Sequence, residues 1–348
     1  MKDNKSPLYV NLAYESGVIR SAQNENPYGA SPRVLDAILK NINCVSLYPD
    51  FILTELKDKL AKKNRVTSDE IIVSPGSCAL IDQLISRMVK DNENIVIPKL
   101  TFIVYKLCAG IHNRECRQAA MQNYYISLNN IFNLCDRKTK LIFLANPNNL
   151  TGTIFTHSQI INFLNKIPEE IFVILDEAYN EYVSDKDFPN YLAILKQYKN
   201  VIILRSFSKI YGLAGLRIGY GIAQKPVIED LEKNKVPFSV STISNIAALA
   251  ALEDKAYVHK CVIKNAQGRE LLVNCLSALG YKILPSQGNF VFVYFPTTVE
   301  RDKVHAILLK NKIIVRKLEP FGDSKSLRIS IGKTHDNRKI LDCLSVHT

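Results

Sequence analysis

Short apolar runs recur through the first two thirds of the chain: 70-EIIVS-74, 94-NIVIP-98, 140-KLIFLAN-146, 171-IFVILDE-177 and 201-VIILRS-206. Each is too short for a stable helix, and none shows the polar alternation of a strand with one wet face. Between them lie longer stretches with helical periodicity, such as 77-SCALIDQLISRMVK-90 and 157-HSQIINFLNKI-167. Buried strands alternating with helices predict an α/β core, a mostly parallel sheet flanked by helices. With 348 residues, 47% of them hydrophobic, the chain has ample material for that core. In such sheets ligands bind beyond the carboxyl ends of the strands, so the residues just after each run are the ones to read for chemistry.

The pattern changes after a helical stretch over residues 240–280. There 289-NFVFVYF-295, 312-KIIVRKL-318 and 326-SLRISIG-332 alternate as half-buried strands do, with a helix at 300–311 between the first two. This predicts a smaller α+β domain completed by the N-terminal segment: residues 41–245 form the large domain, and 1–40 with 246–348 the small one. No run approaches the roughly 18 apolar residues of a membrane span. MKDNKSPLYVNLAYES has no apolar core of a secretion signal. The eight cysteines are scattered, with no C-x-x-C and no histidine at zinc spacing, which reads as reduced thiols in a cytoplasmic protein and no metal site. The formal net charge of +12 is spread over dispersed lysines, without a basic arm or an RNA-binding motif. A solvated surface or anionic small molecules fit it better than nucleic acid.

The strand ends carry a varied set of groups. SPGSC (74–78) opens a helix with Gly-Ser, a ready phosphate site or simply a cap. Phe102 follows the second run and reads alone as core. NPNNLTG (146–152) reads alone as a turn cluster. Asp176 ends the fourth run with Tyr179 behind it, and a buried carboxylate needs a partner, which a cationic ligand nitrogen would supply. Ser206, Ser208 and Lys209 follow the fifth run, then Arg217. Taken alone, Lys209 would be an ordinary solvated lysine. Together these groups offer a phosphate cup, an aromatic plate, an amide, a carboxylate, a phenol and an amine. Pyridoxal 5′-phosphate uses all of them: an amine for a Schiff base, an acid to keep the ring nitrogen protonated, and an anchor for the phosphate.

The chain resembles the fold-type-I pyridoxal-phosphate aminotransferases, and within them the histidinol-phosphate aminotransferase group. The resemblance runs from 24-NENPYG-29 and 48-YPD-50 through 146-NPNNLTG-152, 176-DEAY-179 and 206-SFSKIYGLAGLRIGY-220 to 288-GNF-290, 315-VRK-317 and 327-LRISIG-332. It implies that Lys209 forms the Schiff base and then, as a free amine, moves the proton of the substrate. It implies that Asp176 pairs with the ring nitrogen, that Tyr179 and Asn149 bond the ring oxygen, and that Phe102 stacks on the ring. Ser77, the Cys78 backbone, Ser206, Ser208 and Arg217 would cradle the phosphate. Tyr48 would reach the phosphate in a neighbouring subunit, which implies a homodimer with shared sites. On the substrate side it implies Arg328 for a carboxylate, with Asn26 and Asn289 nearby, and Arg316 for a substrate phosphate; Arg316 alone is equally a strand-edge surface arginine.

The sequence departs from that family in places that touch the site. Leu100 and Leu150 stand where proline is usual, and a cis bond before leucine costs about 2.5–4 kcal/mol, so trans bonds are expected at both, with Phe102 still beside the ring. Cys78-Ala79 replaces a usual acidic pair, and Leu47 a usual arginine. The leading expectation is ping-pong amino transfer between histidinol phosphate and 2-oxoglutarate. The alternatives are an O-phosphothreonine decarboxylase, or transfer from an aromatic or other amino acid. A non-catalytic, cofactor-binding regulator would need a DNA-binding domain, for which the residues before Asn24 are too few.

Overall fold

The computed structural model describes residues 16–346. Residues 1–15, assigned above to the small domain and searched for a signal, lie outside them. The strands form two main sheets. The larger takes β2 (Ile71–Ser74), β3 (Asn94–Pro98), β4 (Glu115–Ala119), β7 (Thr139–Ala145), β8 (Phe172–Asp176), β9 (Val201–Ser206) and β10 (Gly219–Ile222), in the order β2-β10-β9-β8-β7-β3-β4. Its neighbours run parallel except β10, which is antiparallel to both β2 and β9. The smaller has the order β1-β13-β14-β12-β11, from β1 (Ile19–Ser21), β11 (Lys282–Leu284), β12 (Phe290–Tyr294), β13 (Ile313–Lys317) and β14 (Ser326–Ser330). A two-stranded hairpin, β5 (Met121–Gln122) with β6 (Tyr125–Ile126), lies between β4 and β7 in the chain. In the N-terminal segment, β1 pairs with β13 in parallel.

The large sheet has two apolar faces because successive side chains point to opposite sides. Val73, Val96, Leu144, Leu175 and Ile203 enter one core cluster, and Ile72, Ile95, Phe143, Ile174 and Leu204 the other. Helices cover both, which is why the runs lack polar alternation. The small sheet differs from the half-buried reading. β14 is buried at every position, and β12 at all but Tyr294. One side packs on helices through Val291, Val293, Leu327 and Ile329. On the other, Phe292 joins Leu284, Leu318, Leu100 and Leu150 in a separate cluster. The two leucines that stand in place of proline therefore tie loops of the large sheet to the small sheet. The cis peptide bond among the described residues is Asn146–Pro147, so the bonds before Leu100 and Leu150 are trans, as expected.

The helical stretch at 240–280 is two helices, Thr242–Glu253 and Lys255–Ala278, broken at Asp254, whose side chain caps the second through the Tyr257 N–H (3.1 Å). Ala247, Ala248 and Ala251 of the first belong to the core of the large sheet.

Candidate functional site

Three parallel strands end at one cavity of about 380 Å³: Ala145 closes β7, Asp176 β8 and Ser206 β9, and all three line it. Ser77 and Cys78, after β2, and Phe102, after β3, complete the rim on that side. Asn149, Tyr179, Ser208, Lys209 and Arg217 line the remainder, so ten of the residues singled out in the sequence face one space. Asn289, just before β12, and Arg316 and Arg328 on the small sheet do not line it, though Arg328 bonds Asn149, which does. Tyr48 and Asn26 do not line it.

The cup at one end is built from backbone. The helix Ser77–Met88 begins there with Gly76 as its N-cap at φ 83°, a left-handed conformation that favours glycine. A Cβ on Gly76 would lie 2.5 Å from an Arg217 guanidinium nitrogen, and one on Gly219 would lie 2.6 Å from the Ser77 nitrogen. Both glycines let Arg217 and β10 press against the helix terminus. Arg217 donates to the Ala214 carbonyl (2.9 Å) and weakly to Ser208 Oγ (3.4 Å), and the Ser208 N–H donates to Ser206 Oγ (3.0 Å). A helix N-terminus, three hydroxyls and a guanidinium make an anion cradle.

Asp176 is buried at the floor. It accepts from the Tyr105 hydroxyl (2.7 Å) and the Ala178 N–H (3.1 Å). Burial pushes its carboxyl up, while those hydrogen bonds and the Lys209 charge oppose the shift. Tyr105 has its own ionisation driven well above the usual phenol range by burial, so it stays a donor. The next residue, Glu177, points away into a buried ion pair with Arg205 (2.8 Å).

Lys209 is half-buried and donates to the Gln23 carbonyl (3.1 Å). Burial, with the Arg328 charge, lowers its ammonium to about 8, so roughly a tenth is free amine at pH ~7, far more than for an ordinary lysine. Its Nζ lies 5.7 Å from the centre of the Tyr179 ring. The Tyr179 oxygen accepts from Asn149 Nδ2 (2.7 Å) and Asn24 Nδ2 (3.0 Å), which leaves the phenol's own proton to donate. Phe102 meets Tyr105 edge-on, 5.7 Å between centres.

Arg328 on β14 sits opposite Arg316 on β13. Both donate to the Ala22 carbonyl, at 2.8 Å and 3.2 Å, and Arg328 also holds the Asn149 carbonyl (2.9 Å). Arg328 is 4% exposed, has no carboxylate partner among the described residues, and keeps a buried Nε with no acceptor. Burial, with Arg316 alongside, lowers its guanidinium to about 10. Asn289 donates to the Asn24 carbonyl (3.0 Å), joining the N-terminal segment to the small sheet.

Two of the named residues stand apart from the cavity of their own chain. Asn26 is turned inward: its amide donates to the Ile210 carbonyl (2.7 Å) and its oxygen accepts from the Tyr28 N–H (3.0 Å), so it braces the loop that carries Lys209. Tyr48 is 85% exposed and packs on Phe238, 5.1 Å between ring centres. Sequence reading missed Asn24 and Tyr105. Asn24 has φ 55°, is buried, and accepts from Ser330 Oγ (2.7 Å) while holding Tyr179. An asparagine that tolerates positive φ in a polar motif was the available signal. Tyr105 gave none, since it sits inside a helix.

The family model described as "Aminotransferase class I and II" matches residues 16–344. A histidinol-phosphate aminotransferase of Anaeromyxobacter sp. (strain Fw109-5) is 40% identical over 94% of this chain and 90% of its own length. One from Halalkalibacterium halodurans is 38% identical over 94% and 88%. Among solved structures, histidinol-phosphate aminotransferase from Sinorhizobium meliloti in complex with pyridoxal-5′-phosphate superposes with a TM-score of 0.87 at 25% identity, covering 95% of this chain and 92% of that one. The chain, with its fold-type-I architecture, belongs to the class I and II aminotransferases.

Proposed function

We propose that this aminotransferase moves an amino group from histidinol phosphate to 2-oxoglutarate, with pyridoxal 5′-phosphate as cofactor. Buried, carboxylate-free Arg328 beside Arg316, hydrogen-bonded to Asn149 of the cavity that holds Lys209 and Asp176, carries this reading. An unpaired buried cation is costly unless an anion joins it, and both substrates bring one.

The cavity fits the cofactor on its own terms. The anion cradle, the buried carboxylate and the low-pKa amine stand at different walls of one space, matched in kind to a phosphate, a ring nitrogen and an aldehyde. Bound there, the cofactor supplies an electron-accepting ring that acidifies the substrate carbon bearing nitrogen. Ser77, Cys78 N–H, Ser206, Ser208 and Arg217 hold the phosphate. Asp176, oriented by Tyr105 and Ala178, keeps a positive charge on the ring nitrogen. Tyr179 would donate a hydrogen bond to the ring oxygen, and Phe102 would pack beside the ring. Lys209 holds the cofactor at rest, and as a free amine it takes the proton from the substrate carbon and returns it. Arg328 binds the carboxylate of glutamate and the phosphate of histidinol phosphate in turn, with Arg316 added for the phosphate.

Exposed Leu47, Tyr48, Phe51, Ile52, Val236 and Phe238 support a homodimer in which Tyr48 reaches the second subunit's cradle. Two structural units also fit. The alanines of helix Thr242–Glu253 favour a boundary at Asp254 over residue 245. No helix among the described residues is long and apolar enough to cross a membrane, and none of the eight cysteines is in a disulfide, which suits the cytoplasm.

Mixing the purified protein with histidinol phosphate and 2-oxoglutarate tests the reading. Glutamate must form, and borohydride reduction followed by peptide mapping must place the cofactor on Lys209. No glutamate from this pair, with the cofactor still mapped to Lys209, would overturn the substrate assignment alone.

A further inference from the structure

Tyr179 lines the catalytic cavity, and its oxygen accepts from two side-chain amides, Asn149 Nδ2 (2.7 Å) and Asn24 Nδ2 (3.0 Å). Two accepted hydrogen bonds fill the phenol oxygen, and no acceptor among the described residues takes its proton. That proton is free for a ligand in the cavity only while both amides present their NH2 groups. An asparagine side chain has nearly the same shape with its amide turned over, and turned over it would accept from Tyr179.

Different groups set the two amides. Asn149 Oδ1 accepts from Arg328 (3.2 Å), and a guanidinium can only donate, so the Asn149 NH2 faces Tyr179. Asn24 is set by Ser330. The Ser330 oxygen accepts from the Asn24 backbone N–H (2.9 Å), and its hydroxyl donates to Asn24 Oδ1 (2.7 Å). Turning the Asn24 amide over would strand the Ser330 proton with no acceptor among the described residues, and both residues are buried. A buried donor without a partner is costly, so the orientation holds. Arg328 and Ser330 lie two positions apart on β14, so their side chains leave the same face of the small sheet. One strand thus orients both partners of a phenol that belongs to the other sheet. The backbone helps: Asn24 keeps φ 55°, and its carbonyl is held by Asn289 (3.0 Å). Burial pushes the Tyr179 phenol up, so it keeps the proton it is to donate.

We infer that Asn24 and Ser330 are positioning residues for the reaction: together they fix Tyr179 as a hydrogen-bond donor into the cavity. The inference rests on the proposed role of Tyr179 at the cofactor's ring oxygen, and it is independent of which amino donor is used.

The protein loaded with pyridoxal phosphate, without substrate, tests it through the pH midpoint of its visible absorbance change. A hydrogen bond donated to the ring oxygen favours the deprotonated state and lowers that midpoint. Asn24→Gly, which glycine tolerates at this φ, raises the midpoint by up to about one unit, the size of one hydrogen bond. Ser330→Ala raises it too, because the amide can then turn over. Both replacements are neutral and leave Asp176, Glu25, Arg217 and Arg328, the charged groups around Tyr179 and Lys209, in place. In the Tyr179→Phe background neither replacement shifts the midpoint further, whereas a general loosening of the segment would act with or without the phenol. An unchanged midpoint in both single variants, or an equal rise with and without the Tyr179 hydroxyl, overturns the inference and leaves the proposed function standing. A protein that takes up no cofactor overturns both.

Discussion

At the scale of single residues, the account turns on a lysine whose ammonium is lowered to about 8 by burial. An exposed lysine captures an aldehyde efficiently only near pH ~10.4. The rate at which the apoprotein takes up pyridoxal phosphate therefore rises with pH and levels off above about 8, followed by absorbance at a series of pH values. A rate still climbing steeply toward pH ~10 would show an ordinary lysine. The same shift has a stability sign. The folded state sheds the proton near 8 and the unfolded chain keeps it to about 10.4, so unfolding takes up a proton between the two. This contribution to apoprotein stability is least favourable below about 8 and improves through that window. Lys209→Met removes the dependence, and urea melts at several pH values read it. A second residue-scale prediction concerns Gly76. Gly76→Ala adds a clash with Arg217 to the strain of positive φ, about 1–2 kcal/mol, and weakens cofactor binding. Gly280→Ala, at φ 84° with nothing near its added Cβ, carries the strain alone and leaves cofactor affinity unchanged by absorbance titration. Chemistry at this scale was largely readable, because Asp176, Ser206 and Lys209 sit directly at the ends of apolar runs. The supports were not: Tyr105 reaches Asp176 from within a helix, and Asn24 meets Tyr179 across 155 positions.

At the scale of elements, legibility followed burial. β3, β7, β8 and β9 are interior strands, and β2, at one edge, is buried at every position; an unbroken apolar run is what such burial selects. β4 is the opposite edge, more exposed, and its ECRQA carries charges that suit an edge and hide a strand. β10, GYGI, owes its place to glycines that admit the helix terminus, so its signal is steric and not apolar. The small-sheet strands looked half-wet because their second face finds its cover elsewhere in the chain, at Leu100 and Leu150. That cover makes a prediction. Leu150 is fully buried beside Phe292 and Leu318, so Leu150→Ala costs about 2–5 kcal/mol in chemical denaturation. Asn149, which holds both Tyr179 and Arg328, precedes it directly, so the variant also raises the KM for glutamate. A stable variant with unchanged KM would mean that this cluster neither supports the junction nor sets the loop.

At the scale of the whole molecule, the exposed apolar side chains around Tyr48 and Phe238 predict a dimer. Phe238→Glu shifts sedimentation to the monomer and lowers turnover with it, since Tyr48 then has no partner cradle to reach. A wild type that sediments as a monomer while fully active would refute shared sites. The larger sheet supplies the cavity's cradle, Asp176 and Lys209, and the smaller holds Arg328 and Arg316, with Arg328 bonded to Asn149 of the cavity. On the proposed function, the larger sheet carries out the reaction and the smaller chooses the substrate. Single-turnover absorbance tests this most directly: load the protein with pyridoxal phosphate and add histidinol phosphate, O-phosphothreonine, phenylalanine or glutamate without any oxo acid. The account predicts that histidinol phosphate converts the cofactor to its amine form much faster than O-phosphothreonine or phenylalanine, with glutamate also competent. Release of carbon dioxide from O-phosphothreonine with return of the starting spectrum would contradict it and make the chain a decarboxylase.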